Sequence, residues 1–184
     1  MITPRVIWER TFDIERKPRP KNQRNPVLIA GRPRMVTAPE VKLEQAAIAA
    51  LIAPFAPPAR HEEGPVEVEL VSYFEIPAGW PAWKREAALA GVVRPTGRPD
   101  LDNLMKMITD AMGASGRWFR DDAQIVGNVH AKAYAPLPLS RVTVRFLEDV
   151  STAAAWKARR ELEDWRAAER DRQVQEAMMF GETR

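Results

Sequence analysis

Residues 98–124 constrain this chain more than any other stretch. Pro99 imposes an extended entry, because its ring locks φ and restricts the residue before it. Asp100 or Asp102 then caps a helix in which Leu101, Leu104, Met105, Ile108 and Met112 recur at helical spacing and form one apolar face. The opposite face carries Asp102, Lys106 and Asp110 at steps of four, a stripe of acid, base and acid. A loop over residues 113–120 turns the chain back, and Asp121-Asp122 opens a strand.

The carboxylates at the two ends of this stretch can meet. Ten residues of helix carry the chain roughly 15 Å from Asp102, and the return segment can span about 30 Å when extended. Three carboxylates around a lysine, Asp100, Asp102 and Asp122 with Lys106, offer oxygen ligands to a hard divalent cation. Magnesium keeps several of its waters, which suits an open site that receives a phosphate. Each residue alone has a plainer reading. An Asp before a helix is an N-cap, Asp102 and Lys106 are a surface pair worth about 0.3–0.5 kcal/mol, and Asp-Asp is turn chemistry.

Taken together, Arg98-Pro99-Asp100-Leu101-Asp102-Asn103-Leu104, Lys106, Asp110 and Asp121-Asp122-Ala123-Gln124 resemble the RusA-type Holliday junction resolvases, a family often borne by phages and prophages. The resemblance is specific in this block, covers roughly residues 5–148, and tails off outside it. It implies a small homodimeric endodeoxyribonuclease that needs Mg²⁺, with Mn²⁺ as a substitute, and cuts four-way DNA junctions in pairs of symmetric nicks during recombination and repair. In that reading Asp100, Asp102 and Asp122 are catalytic metal ligands. Lys106 is catalytic through its ammonium, which faces the charge that develops on the phosphate. Asp110 and Asp121 orient Lys106 or a water of the ion, and Asn103 and Gln124 are positioning residues.

At 184 residues the chain is long enough to bury a substantial core. Cysteine is absent, which excludes disulfides and thiolate metal sites, and His61 and His130 are too few for a histidine-rich zinc site. No apolar run reaches the length of a membrane span and no secretory pattern opens the chain, so the expectation is a cytoplasmic protein. The net charge of +3 is modest for a DNA-binding protein, so its distribution matters more than its size. Residues 15–34 hold seven basic side chains against Glu15 alone and read as a proline-rich loop. Such a loop is either solvated or grips phosphate, and the resemblance favours Lys17, Lys21 and Arg24 as DNA contacts. Lys84, Arg85 and Arg98 lead up to the acidic block and are further candidates.

Around this block the chain reads as strands over residues 5–14, 66–76, 121–134 and 142–146. A helix opens with the capping-box sequence Thr37-Ala38-Pro39-Glu40, and a short one closes at Gly91. Trp80 and Trp83 read as core, His61 as exposed, and His130 and Lys132 as surface or phosphate-contacting residues. The expectation is an α+β domain over residues 1–150, a mixed four-stranded sheet flanked by helices, followed by a helical extension over 151–184. Two other functions fit parts of the pattern: a junction-binding protein without catalysis, and a glycosyltransferase using Asp-x-Asp for a metal–nucleotide sugar. The second lacks a nucleotide-binding βα unit and the usual length.

Overall fold

The computed structural model describes residues 5–16, 24–29 and 32–180. Its contacts divide the chain between Leu147 and Glu148. The larger unit is α+β and contains a four-stranded mixed sheet. In spatial order the strands are β1 (Val6–Ile14), β6 (Leu139–Leu147), β4 (Val66–Glu75) and β5 (Ile125–Ala135). β6 pairs antiparallel with β1 and β4, whereas β4 and β5 are parallel. A parallel pair needs a crossover, and here α2 (Ala82–Leu89) and α3 (Leu101–Ser115) lie between the two strands.

One face of the sheet is buried. Phe12 and Ile14 of β1, Val66, Val68 and Leu70 of β4, and Val142, Val144 and Phe146 of β6 meet α1 (Pro39–Ile52) and α3 there. Alternation at period two selects these residues. α3 contributes Leu104, Met105, Met107, Ile108, Ala111 and Met112, a wider apolar face than its spacing suggested. Full burial of one such side chain stabilises by about 1.5–3 kcal/mol. Gly116 ends the helix in the left-handed region at φ 62°, where glycine carries no steric cost.

Several local expectations give way to tertiary context. Within residues 15–34, read as a loop, the chain forms strand β2 (Arg24–Ile29), which pairs with β3 (Arg32–Thr37). Its prolines are tolerated because a two-stranded ribbon is all edge. Thr37 is committed to that ribbon, so α1 starts after Ala38 without a side-chain cap. Val6 is 43% exposed because the register shifts between Val6 and Trp8. Trp83, expected in the core, is 67% exposed.

Residues 113–120 are more than a turn. Trp118 and Phe119 are wholly buried; Trp118 meets Trp8 edge-on at 6.0 Å and Phe12 at 5.5 Å. Nor is His61 exposed and idle. Its ring stacks on Phe146 at 4.4 Å, its N–H donates to the Trp118 carbonyl, and its own carbonyl accepts from Arg120 N–H. These contacts pin the return of the chain from α3 to β5.

The smaller unit joins Arg5 to residues 148–180 through a hydrogen bond from Glu148 N–H to the Arg5 carbonyl. Its helix, α4 (Ala153–Phe180), is capped by Thr152 Oγ1, which accepts from Ala155 N–H at 3.1 Å. Its sequence offers three i,i+4 pairs of opposite charge, of which Arg159–Glu163 closes to 2.8 Å and Lys157–Glu161 to 3.9 Å. Arg160–Asp164 does not form among the described residues.

Candidate active site

The site arises where α3 overhangs the edge of the sheet. Register places Asn128, His130 and Lys132 of β5 beside Val68, Leu70 and Ser72 of β4, hence on the face that carries the core. The edge strand thus exchanges apolar side chains for polar ones where the core ends. α3 turns its polar stripe towards the same place. Asp102, Lys106, Thr109 and Asp110 line an open cleft of about 340 Å³ together with Asp122, Ile125, Asn128 and His130.

The chain isolates Asp122 from its twin. Asp121, not Asp122, is the cap of the 3₁₀ turn Asp122–Gln124 that precedes β5, so the pair does not open a strand as expected. Asp121 Oδ1 accepts from Ala123 N–H at 2.8 Å. Gln124 Oε1 accepts from the N–H groups of Arg120 and Asp121, and its Nε2 donates to the Gly64 carbonyl at 3.1 Å. Both neighbours of Asp122 are held, while its own carboxylate has no partner among the described residues.

The same holds on the helix. Asp100 occupies the N-cap position of α3, yet its side chain makes no capping hydrogen bond. Asp102 and Lys106 form no ion pair with each other, so the surface-pair reading does not describe them. Asp110 is half-buried and engaged, and it also lines a neighbouring cleft with Asp121, Asp122 and Arg120.

Asp100 does not line the cleft of Asp102 and Asp122, and among the described residues no three His, Asp or Glu side chains close onto one point. The expected three-carboxylate ligand set is therefore not assembled. Positions two apart do not share a helix face, and Asp100 precedes the helix whereas Asp102 sits in its first turn. The donors that do converge are carboxylate oxygens. Carboxylate oxygens are the hard ligands that a divalent cation takes, and Asp102 and Asp122 are the two of the expected three that share this cleft.

Lys132, expected at the surface or on phosphate, is a tether: its Nζ donates to the carbonyls of Gly97 at 2.8 Å and Pro99 at 3.2 Å. It braces the segment that delivers Asp100 to α3. His130 and Thr109 were not anticipated in the cleft. Adjacency to the Lys106–Asp110 stripe was the signal for Thr109; strand alternation gave none for His130, because Asp122 lies in the 3₁₀ turn before β5. An extra residue at Val126 shifts the alternation, so Ile125 pairs with Val66 on the core face.

Among the basic candidates, Lys17 and Lys21 lie outside the described residues. Arg24 begins β2, and only its backbone is described. Lys84 Nζ sits 4.0 Å from the centroid of the Trp80 ring; Arg85 and Arg98 are exposed. No described helix is long and apolar enough to cross a membrane.

Carboxylates and a lysine thus share an open cleft at a sheet edge. Residues 15–146 match the family model of endodeoxyribonuclease RusA, and the chain belongs to that family. It is also 33% identical over 84 residues to the uncharacterized protein YqaN of Bacillus subtilis strain 168. That alignment covers 45% of this chain and 58% of YqaN.

Proposed function

We propose that this protein is a divalent-metal-dependent endodeoxyribonuclease that resolves four-way DNA junctions in the cytoplasm, acting as a homodimer that places two symmetric nicks. The observation that carries this reading is the shared cleft of Asp102, Lys106, Asp110 and Asp122, in which the side chains of Asp102, Lys106 and Asp122 make no hydrogen bond or ion pair among the described residues. Exposed charges without structural partners are available to a substrate.

Asp102 and Asp122 are the residues that would hold Mg²⁺, with Asp100 at the mouth of the helix offering a third carboxylate. A bound magnesium ion supplies Lewis acidity towards the phosphate and lowers the pKa of a coordinated water. Lys106, one turn beyond Asp102, presents its ammonium to the negative charge that grows on the phosphate oxygens and the leaving oxygen. Asp121 acts through the backbone, fixing the turn that aims Asp122. Asp110 orients Lys106 or water from the floor of the cleft. The basic residues Lys17, Lys21, Arg24, Lys84, Arg85 and Arg98 contact the DNA, the first five on phosphates away from the cut.

A second reading, junction binding without cleavage, draws on the absence of a closed three-carboxylate cluster among the described residues. An end-labelled four-way junction, incubated with and without Mg²⁺ beside a duplex of the same sequence, separates the two. Paired cuts that require the metal are the expected outcome. A retarded junction that is never cut, in either Mg²⁺ or Mn²⁺, would establish the binding-only reading.

A further inference from the structure

A second cleft, of about 530 Å³, opens on the same face of the sheet. One wall is the segment that leads into α3, including Pro95, Gly97 and Pro99; the other is the end of β4 with Tyr134 of β5. Register sets Phe74 beside Tyr134, so two aromatic side chains stand together on the face that carries the acidic cleft. Both walls are braced. Trp80 packs edge-on against Tyr134 at 5.1 Å and 69°, and Lys84 lies over Trp80. Lys132 ties the Gly97 and Pro99 carbonyls from behind. Glu75 and Arg98 also line the cleft, and neither forms an ion pair among the described residues.

Two aromatic rings and three prolines beside one carboxylate and one guanidinium suit a planar ligand whose edge both donates and accepts hydrogen bonds. An aliphatic ligand would leave both charged groups unanswered. The position narrows the choice further. Pro99 precedes Asp100 directly, and Tyr134 lies four residues beyond His130 on one strand, roughly 13 Å at the rise of a parallel strand.

The geometry points to this cleft as a receptor for a single nucleobase turned out of its stack, within a few nucleotides of the cut. The inference rests on the nuclease reading of the acidic cleft and gives it a source of substrate selectivity. Every base of an intact duplex is paired and stacked, and turning one out costs energy; a branch point supplies bases that are held less firmly. Arg98 and Glu75 read the edge of the base, while Tyr134 takes its face.

An abasic scan tests this. Four-way junctions carrying one abasic nucleotide at each position near the cut are compared with the intact junction, using the wild type, Tyr134→Ala, Tyr134→Phe and Glu75→Gln. One or two abasic positions are expected to slow wild-type cleavage by about tenfold, the scale of one lost base–aromatic stack. Tyr134→Ala should cut the intact junction at that reduced rate and be indifferent to the same abasic positions, while Tyr134→Phe, which keeps the ring, should keep the sensitivity to the missing base. Glu75→Gln, at an exposed position, should change which base is preferred there without altering thermal stability. A flat scan with the wild type overturns the inference, as does a Tyr134→Ala protein that keeps full sensitivity to the missing base. If junctions bind but are not cut, the reading of the acidic cleft fails by itself. The scan then decides the second cleft through affinity: a tenfold loss at one position supports it, and uniform affinity refutes it.

Discussion

Lys132 Nζ, in the middle of β5, donates to the Pro99 carbonyl at 3.2 Å and to that of Gly97 at 2.8 Å. The edge strand thereby holds the peptide immediately before Asp100. A lysine at this position in an extended strand would ordinarily be a surface charge; here its four-carbon stem reaches a loop 33 residues earlier in the chain. Replacing it with methionine keeps the stem and removes the donor. Hydrogen bonds from charged groups contribute about 1.5–3 kcal/mol, so Lys132→Met should lower stability to urea by that order and slow cleavage. Unchanged unfolding midpoints and rates would show that the tether is incidental.

The twin aspartates should behave differently. An asparagine at Asp121 still accepts from Ala123 N–H, so Asp121→Asn should retain cleavage, whereas Asp121→Ala should lose about 0.5–2 kcal/mol of local stability. Asp122→Asn, Asp102→Asn and Asp100→Asn should lose cleavage and bind the junction as well or better, since each removes a negative charge near phosphate. Cleavage assays run beside gel shifts check this. An active Asp122→Asn with an inactive Asp121→Asn would invert the assignment.

Metal dependence follows from the oxygen donors. Cleavage should need Mg²⁺ or Mn²⁺ and stop in excess chelator, while Ca²⁺ supports binding without turnover. Lys106→Ala should lose about 2–4 kcal/mol of transition-state stabilisation, the scale of a lost oxyanion donor, with little change in junction affinity. Undiminished cutting in chelator would remove the metal from the mechanism.

One acidic cleft cuts one strand, so resolution calls for two copies. C₂ dimers are the commonest homo-oligomers and match the approximate two-fold symmetry of a junction. A mixed dimer of wild type and Asp102→Asn should nick one strand and leave its counterpart whole. Light scattering at working concentration is the prior check; a monomer that makes paired cuts would exclude the dimer.

The open face of the sheet supplies a pH test. Arg141 forms a two-pronged pair with Asp13 at 2.8 Å, and its hydrogen bonds hold the Asp13 carboxyl below the usual value of 3.8. A depressed carboxylate contributes stability above its unfolded pKa and loses it as pH falls through the folded one. Asp13→Asn should therefore be slightly less stable than wild type at neutral pH, by under about 1 kcal/mol for so exposed a pair. The difference should shrink as pH falls below 3.8 and vanish only under the depressed value. Urea unfolding across that range would reveal a gap that persists, which would contradict the pairing.

The amphipathic pattern of α3 and the alternation of β4 were legible because each depends on near neighbours: Leu104, Ile108 and Met112 share a face whatever the rest of the chain does. The family block was legible for the same reason, since its residues lie within 27 positions of one another. The mixed sheet and the meeting of Asp102 with Asp122 were anticipated, but several roles that depend on a distant partner were missed. Thr37 looked like a cap until β3 took it, His61 looked idle until Phe146 and Trp118 met it, and Trp118 itself passed for part of a turn.

Local order therefore dictated the elements, the apolar faces and the identity of the acidic block, because helix and strand periods act over a few residues. Tertiary packing alone decided which carboxylates share a cleft. It set β5 at the sheet edge and brought the turn that carries Asp122 back to the cleft of α3, whereas the Asp121 cap and the helix start that parts Asp100 from Asp102 are local. The tertiary outcomes rest on hydrogen bonds from Gln124 to Gly64 and from Lys132 to Pro99, across 60 and 33 residues of chain, and no periodicity reaches that far.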